Sequence, residues 1–151
     1  MMNVSLVFSH FPHEYQSDRK DCGPTAVKII AQYFGRNYSL SYLRELCGVT
    51  RKGVSFLGLT RAFETIGFLT HASEAGMQEM KDMITLPCIV HWNGRHFAVV
   101  YRVSKKHVFV SDPAKGFIKY DFDSFKKGWC TRPNEKGAFL AVELLNKNEI
   151  Q

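Results

Sequence analysis

The periodicity of this chain changes near Cys88, and that change constrains the fold more than any other feature. Before it, apolar residues recur at helical spacing in bounded segments. A first helix is predicted over roughly Cys22–Phe34, with Ala26, Ile29, Ile30, Tyr33 and Phe34 on its buried face. Pro24 suits its first turn and Gly35 its end. A second starts near Ser39 or Ser41, turns Leu40, Leu43 and Leu46 inward and stops at Gly48. A third opens at Ser55 and carries Leu59, Ala62, Phe63 and Ile66 before Gly67. Val4 to Phe8 reads as a short extended segment, Phe68–Ala72 as a strand and Met77–Met83 as a short helix. From Cys88 the pattern alternates. Strands are predicted at Cys88–Trp92, His96–Val103, Val108–Ser111, Phe117–Tyr120 and Ala138–Leu144, with a short helix about Asp123–Lys127. Asn93-Gly94 reads as a two-residue hairpin turn. Helices first and antiparallel strands afterwards predict an α+β fold, with an N-terminal helical half packed on a C-terminal antiparallel sheet and a cleft between them.

At 151 residues the chain is expected to form one domain, 1–151, without repeats or internal linkers. Its 45% apolar content and scattered charges exclude a disordered chain. The net charge of +6 reads as a solubility balance, with attraction to an anionic membrane surface as the alternative. The basic residues are dispersed and form no basic-aromatic module, so no nucleic-acid partner is expected. Met1–Phe11 lacks the pattern of a signal peptide, and no stretch approaches the ~18 apolar residues of a membrane span. The chain as given is expected to be soluble.

The cysteines stand at 22, 47, 88 and 130, with no Cys-x-x-Cys pair, and no histidine pair has ligand spacing. No metal and no cofactor are therefore expected. Cys47 and Cys88 lie in apolar patterns and read as small core residues. Cys22 differs. It follows the polar run Gln16-Ser17-Asp18-Arg19-Lys20-Asp21 and opens a helix, where the positive end of the macrodipole favours thiolate. Gln16 can swing an amide N–H beside that sulfur, supplying one donor of an oxyanion hole. Downstream come His96, in Asn93-Gly94-Arg95-His96-Phe97, and Asp112, in Ser111-Asp112-Pro113. The order Gln, Cys, His, Asp is that of a papain-like thiol hydrolase. Each residue also has a plainer reading: an inert helix cysteine, a surface glutamine, an Asp-Pro turn initiator. Asp21 reads as a surface carboxylate. His91 competes with His96, and alternation alone does not exclude it.

Further strings extend the pattern: Asp21-Cys22-Gly23, Tyr33-Phe34-Gly35, Ser39 to Arg44, Gly53 to Leu59, Ile66-Gly67-Phe68, Leu86 to Trp92, His96 to Val100 and Asp112 to Gly116. In this order and at these separations the sequence resembles the bacteriocin-processing peptidase domain that cuts double-glycine leader peptides, found at the N-terminus of certain bacterial ABC exporters. The resemblance implies a papain-like cysteine peptidase whose nucleophile is Cys22. His96 is its general acid and base, because it precedes the Phe-Ala-Val-Val strand, and His91 is left as a satisfied core histidine. Asp112 orients His96, and Gln16 completes the oxyanion hole. It implies as partners a leader-bearing precursor peptide and the transmembrane and ATPase parts of an exporter, at the cytoplasmic face of the plasma membrane. The chain is compatible with a domain excised from such a transporter.

The leader of such substrates is an amphipathic helix that docks in a surface groove. Phe56, Leu57, Leu59 and Phe63 are the candidate groove residues, although core packing of the same helix competes for them. A catalytically silent substrate-binding module of an exporter is a rival reading, disfavoured because Cys22 is kept. A papain-like amidase or transpeptidase shares the catalytic set, and a stand-alone peptidase is the remaining alternative.

Overall fold

Helix starts follow the caps that the sequence supplies. Residues 11–145 are described by a computed structural model; the segment expected at Val4–Phe8 and the polar tail from Asn146 lie outside them. A 3-10 turn at Arg19–Asp21, capped by the Asp18 carboxylate, runs straight into α1 (Cys22–Tyr33). The hydroxyls of Ser39 and Ser55 accept the N–H groups of Tyr42 and Gly58, each at 3.1 Å, and open α2 (Leu40–Cys47) and α3 (Phe56–Thr65). Strand β1 (Phe68–Ala75) and helix α4 (Met77–Asp82) follow. Then come β2 (Cys88–Trp92), β3 (His96–Val103), β4 (His107–Asp112), β5 (Gly116–Asp121), helix α5 (Phe122–Trp129) and β6 (Gly137–Leu144).

The strands form one six-stranded sheet in the order β1-β6-β2-β3-β4-β5, and every neighbouring pair is antiparallel. The expected α+β class therefore holds, with a different division of labour between the halves. β1, which precedes Cys88, pairs with β6 over its whole length and forms one edge of the sheet. Both faces of the sheet carry helices. On one face Ile29, Ile30, Leu43, Leu59, Phe63 and Phe68 pack with Ile89, Val99 and Leu140. On the other, Met80, Phe125 and Trp129 pack with Val90, Val100 and Val110. Successive residues of β2 and β3 thus serve opposite cores, and each fully buried large side chain contributes ~1.5–3 kcal/mol. Tyr33 departs from its predicted burial. It closes the last turn of α1 at the rim, 52% exposed, and Phe11 fills the space beside it with ring centroids 5.1 Å apart.

The helix predicted about Asp123–Lys127 runs over Phe122–Trp129 because its last residue is a core anchor. Trp129 is fully buried, and its indole N–H donates to Ala138 O at 2.9 Å. Close approach demands glycine twice here. A Cβ on Gly128 would lie 2.1 Å from the Trp92 ring, and one on Gly137 would lie 2.3 Å from Trp129. Gly128 O in turn accepts the Asn93 N–H at 2.7 Å, which ties the β2–β3 hairpin to α5.

Candidate active site

Cys22 is the first residue of α1 and is 7% exposed. The turn before it is held by Asp18, whose Oδ1 accepts the Lys20 N–H at 3.2 Å and whose carbonyl accepts the Asp21 N–H at 3.0 Å. Asp21 is not the surface carboxylate that its type suggests. It is 1% exposed and forms an ion pair with Arg44 of α2, Nε to Oδ1, at 3.1 Å. A buried carboxylate at this point needs a cation, and α2 packs against α1 closely enough to supply one. That pair anchors the residue directly before Cys22.

The hairpin delivers His96 to the strand end. Asn93 and Gly94 adopt positive φ, 52° and 70°, and Trp92 O accepts the Arg95 N–H at 3.1 Å, so the expected Asn-Gly turn forms. The ladder resumes only where His96 faces Trp92, which makes Arg95 an additional loop residue and the connection three residues rather than two. Asp112, the last residue of β4, is 2% exposed and accepts from His96 Nε2 through Oδ1 at 2.8 Å. The same oxygen accepts the backbone N–H groups of Ala114 at 2.7 Å and Lys115 at 3.2 Å. The Asp-Pro turn-capping role and the histidine-orienting geometry therefore coexist in one carboxylate. With Nε2 engaged, Nδ1 is the nitrogen left for Cys22.

The electrostatics bind these groups together. Burial pulls the His96 imidazole towards neutrality, but the hydrogen bonds to Asp112 and Cys22 and the charges of both outweigh it, leaving it pushed up to about 9. Burial also opposes ionisation of Asp112, and the His96 and backbone hydrogen bonds overcome this to hold its carboxyl below the usual range. Asp112 thus fixes the His96 ring through Nε2, and the Cys22 side chain is the second group that favours its charged form. The other thiols lie elsewhere: burial pushes Cys47 up to about 12, Cys88 further still, and the half-buried Cys130 up as well.

Gln16 is tied to the same strand end. Its backbone N–H donates to Pro113 O at 2.8 Å, immediately after Asp112. Its Oε1 is buried and accepts no hydrogen bond among the described residues, so the amide is not committed to another protein group. Gln16 and His96 line one cleft of about 420 Å³ together with Arg19, Trp92, Arg95 and Lys115. Those four residues lie within the strings that carry the resemblance, but nothing in their type or spacing assigns them a place at the cleft.

Two expectations need correction. His91 packs against Phe97, with centroids 4.9 Å apart, and edge-on to Phe56 at 5.6 Å, but its buried Nδ1 has no hydrogen-bond partner among the described residues; it is an unsatisfied histidine, not a satisfied one. Burial, with the cations of Arg132 and His96, holds it below its usual range. Of the groove candidates, Leu59 and Phe63 are fully buried in the core beneath α3, so they are unavailable to a ligand. Phe56 is half-buried and Leu57 is 58% exposed. The inward stripe of α3 runs through Leu59, Ala62 and Phe63, and Leu57 lies outside it.

Comparison with known proteins places this geometry in context. The sequence pattern of the Peptidase C39 family matches residues 10–132. The lactococcin-G-processing and transport ATP-binding protein LagD of Lactococcus lactis subsp. lactis is 36% identical over 120 residues, covering 76% of this chain. The chain spans only 17% of that relative's length. A double glycine motif protease from an AMS/PCAT transporter, solved in complex with the leader peptide, is 27% identical with a TM-score of 0.82, covering 89% of this chain and 91% of that one. The peptidase domain of Streptococcus ComA, a bi-functional ABC transporter, is 28% identical with a TM-score of 0.80, covering 90% and 100%. These neighbours share the papain-like arrangement of helices on an antiparallel sheet.

Proposed function

The chain belongs to the Peptidase C39 family of cysteine peptidases, and from that premise we propose that it cleaves double-glycine leader peptides from secreted peptides, with Cys22 as nucleophile. The observation that carries the reading is the continuous relay from Asp112 through His96 to Cys22, with Gln16 on the same cleft. Similarity to a leader-bound protease and to exporter peptidase domains supports the substrate class. It also supports a setting in which the chain acts as the single peptidase domain of an ABC exporter, at the cytoplasmic face of the membrane. Among the described residues no helix is long and apolar enough to cross a membrane.

Each proposed step draws on one of these residues. Cys22 Sγ attacks the scissile carbonyl, forming the C–S bond, while the Gln16 amide and the Cys22 backbone N–H hold the oxyanion. Protonated His96 gives its Nδ1 proton to the leaving amine as the C–N bond breaks. The neutral imidazole then takes a proton from water, whose oxygen attacks the thioester. Departure of the Cys22 sulfur releases the leader acid and restores the thiolate–imidazolium pair. Asp112 keeps Nε2 occupied throughout, so Nδ1 is always the nitrogen that exchanges the proton. Leu57 and the exposed rim of Phe56 offer the apolar contact for the leader helix.

Steady-state cleavage of a panel of leader peptides tests the reading. A Gly-Gly leader is expected to be cut by the wild-type chain and left intact by Cys22→Ala. Replacing either glycine with valine is expected to block cleavage, because a β-branched residue restricts the extended backbone beside the sulfur. Efficient cutting of short peptides without glycine at the cut would overturn the substrate assignment in favour of a general papain-like hydrolase.

A further inference from the structure

Consecutive residues at the end of β4 hold the segment that carries Gln16. Ser111 Oγ donates to Pro12 O at 3.0 Å, His13 Nε2 donates to Asp112 O at 2.7 Å, and Gln16 N donates to Pro113 O at 2.8 Å. The partners in the first two bonds stand 99 residues apart in the chain. Asp112 is therefore used twice: its carboxylate takes His96 and its carbonyl takes His13. Two aromatic rings flank the His13 ring. The ring meets Tyr15 edge-on with centroids 4.5 Å apart and lies 5.4 Å from Phe117. Tyr15 itself closes over the following turn so tightly that a Cβ on Gly116 would come 2.9 Å from its hydroxyl.

We propose that His13 is a positioning residue for the reaction, setting the distance between the oxyanion donor on Gln16 and the Asp112 carboxylate that orients His96. The proposal rests on the catalytic reading above. Its physical basis is leverage. The strap joins the two halves of the site through backbone carbonyls, so loosening it shifts the amide relative to the carboxylate. Acyl transfer tolerates such displacement poorly, and a shift of about 1 Å costs on the order of 10²-fold in rate.

The test uses the full chain with a Gly-Gly leader peptide. His13→Ala is expected to lower kcat roughly 10- to 100-fold with little change in KM, since ground-state binding of the leader lies elsewhere. The alkaline limb of the rate profile should move to lower pH, because Asp112 then holds the His96 proton less firmly. His13→Gln places an amide donor near the same carbonyl and is expected to restore much of the rate. In a Gln16→Ala background the His13→Ala loss should shrink, since its effect runs partly through Gln16. Ser111→Ala removes the adjacent rung and is expected to lower kcat in the same sense, which keeps the test open should His13→Ala fail to fold. An unchanged kcat and pH profile in His13→Ala would overturn the proposal, as would a loss that His13→Gln leaves unrestored and that multiplies in full with Gln16→Ala. A wild-type chain that does not cut the leader would instead remove the catalytic reading itself.

Discussion

The two strands of the β2–β3 hairpin each carry a histidine near the turn, and their surroundings drive the pair in opposite directions. His91 packs against the rings of Phe56 and Phe97, where burial and the nearby cations of Arg132 and His96 favour the neutral form. His96, at the mouth of the same hairpin, meets a carboxylate at 2.8 Å and a thiol, and is pushed up to about 9. Both rings are partly buried, and burial acts on both in the same sense. The difference comes entirely from partners. A histidine becomes a working acid and base where hydrogen-bonded charge outweighs desolvation, and a passive aromatic plate where it does not.

The largest expected effect separates the two residues directly. His96→Ala is expected to reduce turnover on the order of 10³-fold or more, because the thiol and imidazole act as a unit. His91→Ala keeps the relay intact and is expected to retain activity while lowering thermal stability through lost ring packing. A pair of kinetic and melting measurements suffices, and inactivation by His91→Ala with survival of His96→Ala would reverse the assignment. Gln16→Ala comes next, with an expected loss of roughly 10²- to 10³-fold in kcat from one missing oxyanion donor. Asp112→Asn keeps a hydrogen-bonding oxygen beside His96 and is expected to lose less activity than Asp112→Ala. Equal losses would mean that the negative charge of Asp112 matters more than its orienting role.

The pH response sharpens the contrast. For His96, whose folded value lies above the ordinary 6.5, the stabilising imidazolium contact is complete below 6.5 and is lost as pH rises through about 9. Activity is expected to fall over that same alkaline range, and the fall should move to lower pH in Asp112→Ala. For His91, whose folded value lies below 6.5, the sign is opposite: its neutral form is fully favourable above 6.5, and stability is lost as pH drops beneath that value. NMR titration of the two imidazoles checks both directions in one experiment. The smallest expected effect is that of His91→Phe, which keeps the ring stack and removes the unpaired buried Nδ1. It should leave turnover unchanged and shift stability by no more than about 1 kcal/mol in the favourable direction.

Local chemistry made much of this molecule legible in advance. The starts of α2 and α3 follow from Ser39 and Ser55, and the end of α2 from Gly48 in a left-handed conformation, because caps act within a few residues. The strand pattern after Cys88 was readable from alternation, and the Asn93-Gly94 turn from the two residues that accept positive φ. The order of Gln16, Cys22, His96 and Asp112, read with the family resemblance, singled out four residues, of which Gln16 and His96 line one cleft and His96 meets the Asp112 carboxylate. Element ends were less legible. The extension of α5 to Trp129 depends on the core on one face of the sheet, which takes that side chain, and the pairing of β1 with β6 depends on strands far apart in sequence.

What the amino-acid sequence determined by itself was therefore the set of elements and the kind of chemistry, since both rest on short-range periodicity and residue type. Tertiary structure alone decided which face each side chain met. It buried Asp21 against Arg44, withdrew Leu59 and Phe63 from any groove, left His91 without a partner and strapped His13 across Asp112. Each of these depends on contacts between segments distant along the chain. Such contacts form only when hydrophobic burial has closed the loops between them, and no local pattern encodes where a closed loop will land.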